Sequence, residues 1–222
     1  MKESSPTPSG PRAAPANRRL RSVESFKAAG DCIGPISPGV SLFAMTRGQF
    51  SMIDATLWCL DQVGHAAVSI WTWTVADYEI ECFERLRKDG RLRTGLLVID
   101  GAARNKNSAL LKRWQQGFGP ESIRFVVNHS KIVTIQTGEY KLLLRGSMNL
   151  NFNPRFEQFD LTEGGEDFDL VRAIESELPI LPDTCSGAEI YKASRVSDAF
   201  EPEQLAFFQN LLPFRGAKLW QK

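Results

Sequence analysis

Histidine is the scarcest residue type in this 222-residue chain, with only His65 and His129. The four cysteines, Cys32, Cys59, Cys82 and Cys185, show neither CxxC pairs nor a ligand-like spacing to histidine. That scatter excludes the usual zinc modules and supplies no disulfide framework, so no metal is expected and the thiols should be reduced. No apolar run approaches the roughly 18 residues needed to span a bilayer, and the amino terminus carries charge and proline where a signal peptide has its apolar core. A cytoplasmic protein that does not enter a membrane is expected. Charge of one sign is also missing: the net charge is +1 and the isoelectric point about 7.7. Whole-molecule attraction to nucleic acid is thereby excluded, and any polyanion site has to arise from local clustering.

The chain does contain ordinary globular material, 42% hydrophobic and 24% charged, enough for one sizeable core. Residues 1–25 combine Pro, Ser, Ala and Arg with almost no large apolar side chain, and are expected to form a disordered basic tail. Arg12, Arg18, Arg19 and Arg21 give this tail a local positive charge, more readily read as solvated than as a phosphate contact. The periodicity then alternates. Strands are expected at 40–45, 66–75, 94–100 and 123–128, with helices at 50–63, 76–88 and 108–117 between them. Beyond this the helices give way to a β meander at 131–137, 141–145 and 157–162, followed by a helix over 167–178. The order βαβαβαβββα specifies an α/β sandwich with a mixed β-sheet flanked by helices, occupying residues 26–182. Residues 183–201 read as an extended connection and 201–212 as a short helix, so 183–222 form a C-terminal extension expected to pack on the domain or on a dimer partner.

One stretch carries chemistry. His129 and Lys131 are two residues apart at the start of an expected strand, which directs both to one face. Ser147 and Asn149 repeat that spacing at the end of the next strand. A phosphodiester repels incoming nucleophiles, so its cleavage calls for a neutral nucleophile, cations on the nonbridging oxygens and an acid for the leaving oxygen. His129 supplies the first and Lys131 the second, while Ser147 and Asn149 add hydroxyl and amide donors. His65 has no lysine two residues on, and a structural role is expected for it.

The combination His129-Ser130-Lys131, Gly146-Ser147-Met148-Asn149 and a following carboxylate resembles the phospholipase D superfamily over about residues 40–180. In that family two HxK motifs meet at one site, where one histidine forms a phosphohistidine intermediate and the other protonates the leaving group. This chain has one motif. By resemblance to the single-motif nucleases, a homodimer sharing one active site is implied, without a cofactor. A glutamate that orients the histidine is implied as well: Glu157 is the candidate and Glu163 the alternative. The family's HxKxxxxD aspartate is replaced by Gln136. That departure speaks against the phospholipase branch, in which the full pattern is usual, and leaves a noncatalytic member open; the resemblance still allows activity, because the tyrosyl-DNA phosphodiesterase branch works without the aspartate.

Three functions follow in order. A metal-independent nuclease acting on DNA comes first, then a catalytically degenerate nucleic-acid-binding or assembly protein, and last a phospholipase. Arg104, Lys106, Lys112 and Arg113, after the third strand, are placed where open sheets receive ligands, but a solvated helix face explains them more simply, as it does Arg85, Arg87, Lys88, Arg91 and Arg93. Trp71 and Trp73 lie in so apolar a segment that core positions are expected for both rather than base stacking.

Overall fold

A computed structural model of the chain describes residues 18–151, 154–182 and 184–194. Its elements are, in order, β1 (Arg19–Arg21), α1 (Ala29–Ile33), β2 (Ser41–Arg47), α2 (Met52–Val63), β3 (Ala66–Thr72), α3 (Asp77–Lys88), β4 (Leu92–Asp100), α4 (Ala103–Lys106), α5 (Ser108–Phe118), β5 (Ile123–Val126), β6 (Ile132–Gln136), β7 (Lys141–Gly146), β8 (Phe156–Glu163), α6 (Glu166–Glu177) and α7 (Gly187–Ala193). Each strand and helix expected between residues 40 and 178 forms, with ends displaced by a few residues.

The strands make one eight-stranded mixed sheet in the order β1-β2-β8-β7-β6-β3-β4-β5. β3, β4 and β5 run parallel, as the intervening helices require, whereas β6, β7 and β8 form the antiparallel meander. β8 then pairs antiparallel with β2, joining the meander to the chain's first long strand.

Alternation within the strands sorts side chains between the two faces. Leu42, Ile70, Leu97, Val133, Leu144 and Leu161 face α2, α3 and α5 and join their apolar stripes in the main core. Trp114 of α5 is buried there against Phe83 at 5.5 Å and Phe118 at 4.4 Å between ring centroids. α6 is fastened to the opposite face by a polar cluster. Its Glu175 is only 3% exposed, and the carboxylate accepts from Ser69 Oγ, from Trp71 Nε1 at 2.8 Å and from Arg172 Nη1 at 2.5 Å. A buried carboxylate is tolerated only with such partners.

Two readings of the chain ends are corrected. Arg19–Arg21, expected within a disordered tail, pair in parallel with Leu42–Ala44. Backbone hydrogen bonding carries so short an edge strand, and Arg18 reinforces it through an ion pair with Asp160 and its guanidinium 5.3 Å from the Phe43 ring centroid. Residues 1–17 lie outside the described residues. Within the expected extended connection, Gly187–Ala193 is helical, started by a reciprocal capping pair between Ser186 and Glu189; two turns are too short to show periodicity. The helix expected at 201–212 lies outside the described residues. No described helix is long and apolar enough to cross a membrane.

Truncating Trp114 removes the largest fully buried side chain of the main core. Trp114→Ala should cost about 3–5 kcal/mol, seen as a lower denaturant midpoint with the same β-sheet signature in circular dichroism.

Candidate functional site

The parallel strands β3, β4 and β5 all finish at the same end of the sheet. There, too, β2 and β7 end and β6 and β8 begin. Open α/β sheets receive ligands at an edge of this kind. The loop between β5 and β6, residues 127–131, crosses it and carries His129 and Lys131.

Asn128 holds that loop. Its buried side chain donates Nδ2–H to the Thr72 carbonyl at 3.0 Å and accepts the Ser130 N–H at 2.8 Å. The Asn128 N–H donates to Asp100 Oδ2 at 2.8 Å, while Asp100 Oδ1 accepts from Ala102 N–H at 2.9 Å. One residue thus ties the loop to the tips of β3 and β4. These side-chain bonds take the place of strand pairing, and regular β6 begins only at Ile132, so His129 and Lys131 precede the strand expected to carry them. Their proximity is nonetheless realised. His129 is exposed, whereas Lys131 is 8% exposed. Lys131 Nζ donates to the His129 carbonyl at 2.8 Å and lies 3.2 Å from both ring nitrogens. An ammonium equidistant from two ring nitrogens is aligned with neither lone pair.

The second motif approaches from β7. Gly146 packs so tightly against β8 that a Cβ there would lie 2.2 Å from the Gln158 carbonyl oxygen. Ser147 and Asn149 follow the end of β7 rather than sharing one face of it. Ser147 N–H donates to Gln158 O at 3.1 Å, and its Oγ accepts the Gln158 N–H at 3.0 Å and donates to the Glu157 carboxylate. A hydroxyl has one proton, so in this arrangement Ser147 holds Glu157. The carbonyls of Asn149 and Leu150 accept the N–H groups of Met52 at 3.3 Å and Ile53 at 3.1 Å. The loop is thereby pinned to the first turn of α2, and these two amides are already in use.

Electrostatics link the two halves. Burial pushes the Lys131 ammonium below the usual lysine range, and the negative charge of Glu157 opposes that shift. Glu163, the alternative carboxylate, is at the far end of β8, roughly 20 Å away at about 3.4 Å per residue, where it accepts the Gly39 N–H at 2.8 Å. Gln136 occupies the far end of β6, paired with Ala67 and Lys141, about 17 Å along the strand from Lys131. The residue in the aspartate position therefore has no place at this edge. His65 is remote as well, with Nδ1 2.5 Å from the Gly90 carbonyl oxygen.

Two of the four basic residues after β4 are held by other groups. Arg113 bonds Asp77 and Glu84, and Arg104 donates to the Cys185 carbonyl. Of the two tryptophans expected in the core, Trp71 is half-buried, but β3 stops at Thr72 and leaves Trp73 50% exposed. All four cysteines are free and buried; burial pushes the Cys59 thiol up to about 12 and Cys32 to about 11, so neither offers a thiolate. Among the described residues, no group of three or more His, Cys, Asp and Glu side chains converges in a way that could hold a metal ion. Asn128 and Asp100 were not singled out from the sequence, although an asparagine directly before HxK and the Asp100-Gly101 turn signal mark their positions.

No protein-family model matches the chain, and no curated protein matches it significantly.

Gly146→Ala should destabilise the protein by about 1–3 kcal/mol, because the close neighbour is backbone and cannot swing aside; equilibrium denaturation measures the loss. Glu157→Gln removes the charge that supports protonated Lys131. The Lys131 titration midpoint, followed through its Cε resonance by NMR, should move to lower pH.

Proposed function

We propose that the chain is a phospholipase D-like phosphodiesterase, a nuclease acting on DNA, with His129 as nucleophile and no metal requirement. The observation that supports this reading most is the buried Lys131 ammonium set 3.2 Å from both nitrogens of the exposed His129 ring. A desolvated cation beside an imidazole is complementary to a phosphate whose phosphorus is under attack by that ring. The mixed sheet flanked by helices, with HxK and GSxN converging at one edge, is in keeping with the family resemblance.

In the proposed reaction a ring nitrogen of His129 attacks phosphorus and the P–O bond to the leaving oxygen breaks. Lys131 neutralises the nonbridging oxygens. Glu157, held by Ser147, favours the charged form of Lys131 against burial and is the candidate for orienting His129, and Asn149 is the further candidate donor. The leaving oxygen needs a proton, and with His65 remote a second chain would supply it through the partner's His129. Water then hydrolyses the phosphohistidine, with the second histidine acting as base. The active species is accordingly a homodimer sharing one cleft.

A nucleic-acid-binding protein without turnover is the second reading. It is favoured by the Ser147 hydroxyl, whose single proton is committed to Glu157 rather than to a phosphate.

The purified chain should hydrolyse bis(p-nitrophenyl) phosphate and labelled DNA in excess EDTA and run as a dimer in light scattering. His129→Ala should lower the rate by on the order of 10³-fold or more. Wild-type turnover in that variant would rule out the histidine mechanism, and DNA retention without any cleavage would establish the second reading.

A further inference from the structure

Helix α7 is packed across the carboxyl ends of β4 and β5, next to the loop that carries His129. Its Ile190 is 4% exposed and lies against Gly101, where a Cβ would stand 2.8 Å from Ile190 Cδ1 and Cγ2. Gly101 directly follows β4, and its N–H donates to the Val126 carbonyl at the end of β5 at 2.9 Å. The approach to the helix is held in the same region: Arg104 Nη1 donates to the Cys185 carbonyl and lies 2.9 Å from Cys185 Sγ.

The far end of α7 bonds the loop itself. Ser194 Oγ donates to the Ile190 carbonyl at 2.7 Å and accepts the Val127 N–H at 2.6 Å. A hydroxyl has one proton, so with that proton on Ile190 its lone pairs are left to Val127. β5 is the outermost strand on this side of the sheet, and N–H groups of successive residues along a strand point to alternate sides. Asn128 N–H accordingly turns inward to Asp100 Oδ2 at 2.8 Å. Val127 N–H turns outward, away from β4, and Ser194 receives it. The Val127 side chain is 62% exposed and adds little packing, so its backbone bonds decide where this residue sits. The chain is thus gripped from α7 at Val127 and from β4 at Asn128, and the next residue is His129.

We infer that Ser194 is a positioning residue for His129, and that α7 brings the C-terminal extension to the site as the outer support of the loop presenting the nucleophile. This rests on the phosphodiesterase reading for the role of His129 and adds a segment that the reading leaves unused. Ser194 acts through Val127 and Asn128 and touches none of the reacting atoms. A peptide N–H released at a sheet edge can turn to water at little cost in global stability. Loss of the Ser194 hydroxyl therefore frees the loop without unfolding the domain.

Ser194→Ala, Ser194→Thr and, as a control, Tyr191→Ala, whose ring is 60% exposed on α7, are made in the full chain. Amide hydrogen exchange followed by NMR reads the loop without reference to activity. In Ser194→Ala the amides of Val127, Asn128 and Ser130 should exchange about tenfold faster, while the amides of β3 and β4 and the denaturant midpoint stay at their wild-type values. On bis(p-nitrophenyl) phosphate the same variant should lose about tenfold in kcat with KM unchanged, because a displaced nucleophile alters the reacting geometry rather than substrate capture. Ser194→Thr keeps the hydroxyl and should restore both readouts, and Tyr191→Ala should move neither. The inference is overturned if exchange at Asn128 and Ser130 is unchanged in Ser194→Ala, if Ser194→Thr shows the same loss, or if exchange quickens while kcat in a hydrolysing chain stays constant. A wild-type chain that does not hydrolyse the phosphodiester removes the catalytic reading, and exchange then decides by itself whether α7 holds the loop.

Discussion

A lysine ammonium almost withdrawn from water has to be compensated, and at Lys131 that requirement organises one end of the sheet. Desolvation disfavours its charge. The His129 carbonyl accepts a hydrogen bond from it, and the carboxylate of Glu157 acts on it from β8. Glu157 is itself restrained by Ser147, which can reach it because Gly146 lets β7 approach β8 without a side chain between them. The charge balance at one nitrogen thus depends on the last glycine of β7, the serine that follows it and a glutamate of β8. It leaves the exposed imidazole beside a cation whose opposing charge comes from one defined direction.

The second support is the replacement of strand pairing by side-chain hydrogen bonds. The loop from Val127 to Lys131 crosses the ends of the parallel strands, where no ladder is available. Asn128 provides an equivalent by bonding to Thr72, Ser130 and Asp100. Buried polar groups satisfied in this way give a loop one conformation. The same asparagine therefore fixes both the backbone before His129 and the segment that ends in Trp73.

Most of the architecture was legible because the chain's periodicities are clear. The switch from βα alternation to a meander at Lys131 is written in turn residues and β-branched runs, and the sheet follows it. The misread parts have specific causes. β1 is three residues held mainly by backbone pairing, and α7 owes its start to a capping pair; neither has a pattern long enough to detect. Trp73 looked buried because the run from Ala66 to Val75 is apolar throughout, yet the ladder to β4 ends at Thr72 and the next ring turns out to solvent. In the candidate site, the closeness of His129 and Lys131 could be anticipated from their spacing. The hold of Ser147 on Glu157 could not, since it depends on the register of β7 against β8.

That register also has a consequence for biosynthesis. Emerging chain passes through His129 and Lys131 well before β8, and Thr46 of β2, paired opposite Glu157, was made long before either. Until β8 enters between β2 and β7, the sheet is two separate pieces and the lysine lacks its opposing charge. The last of the described strands to be made is thus the one that joins the ladder and completes the ionic surroundings of the histidine, so a nascent or truncated chain lacking β8 carries the motif without its electrostatic setting.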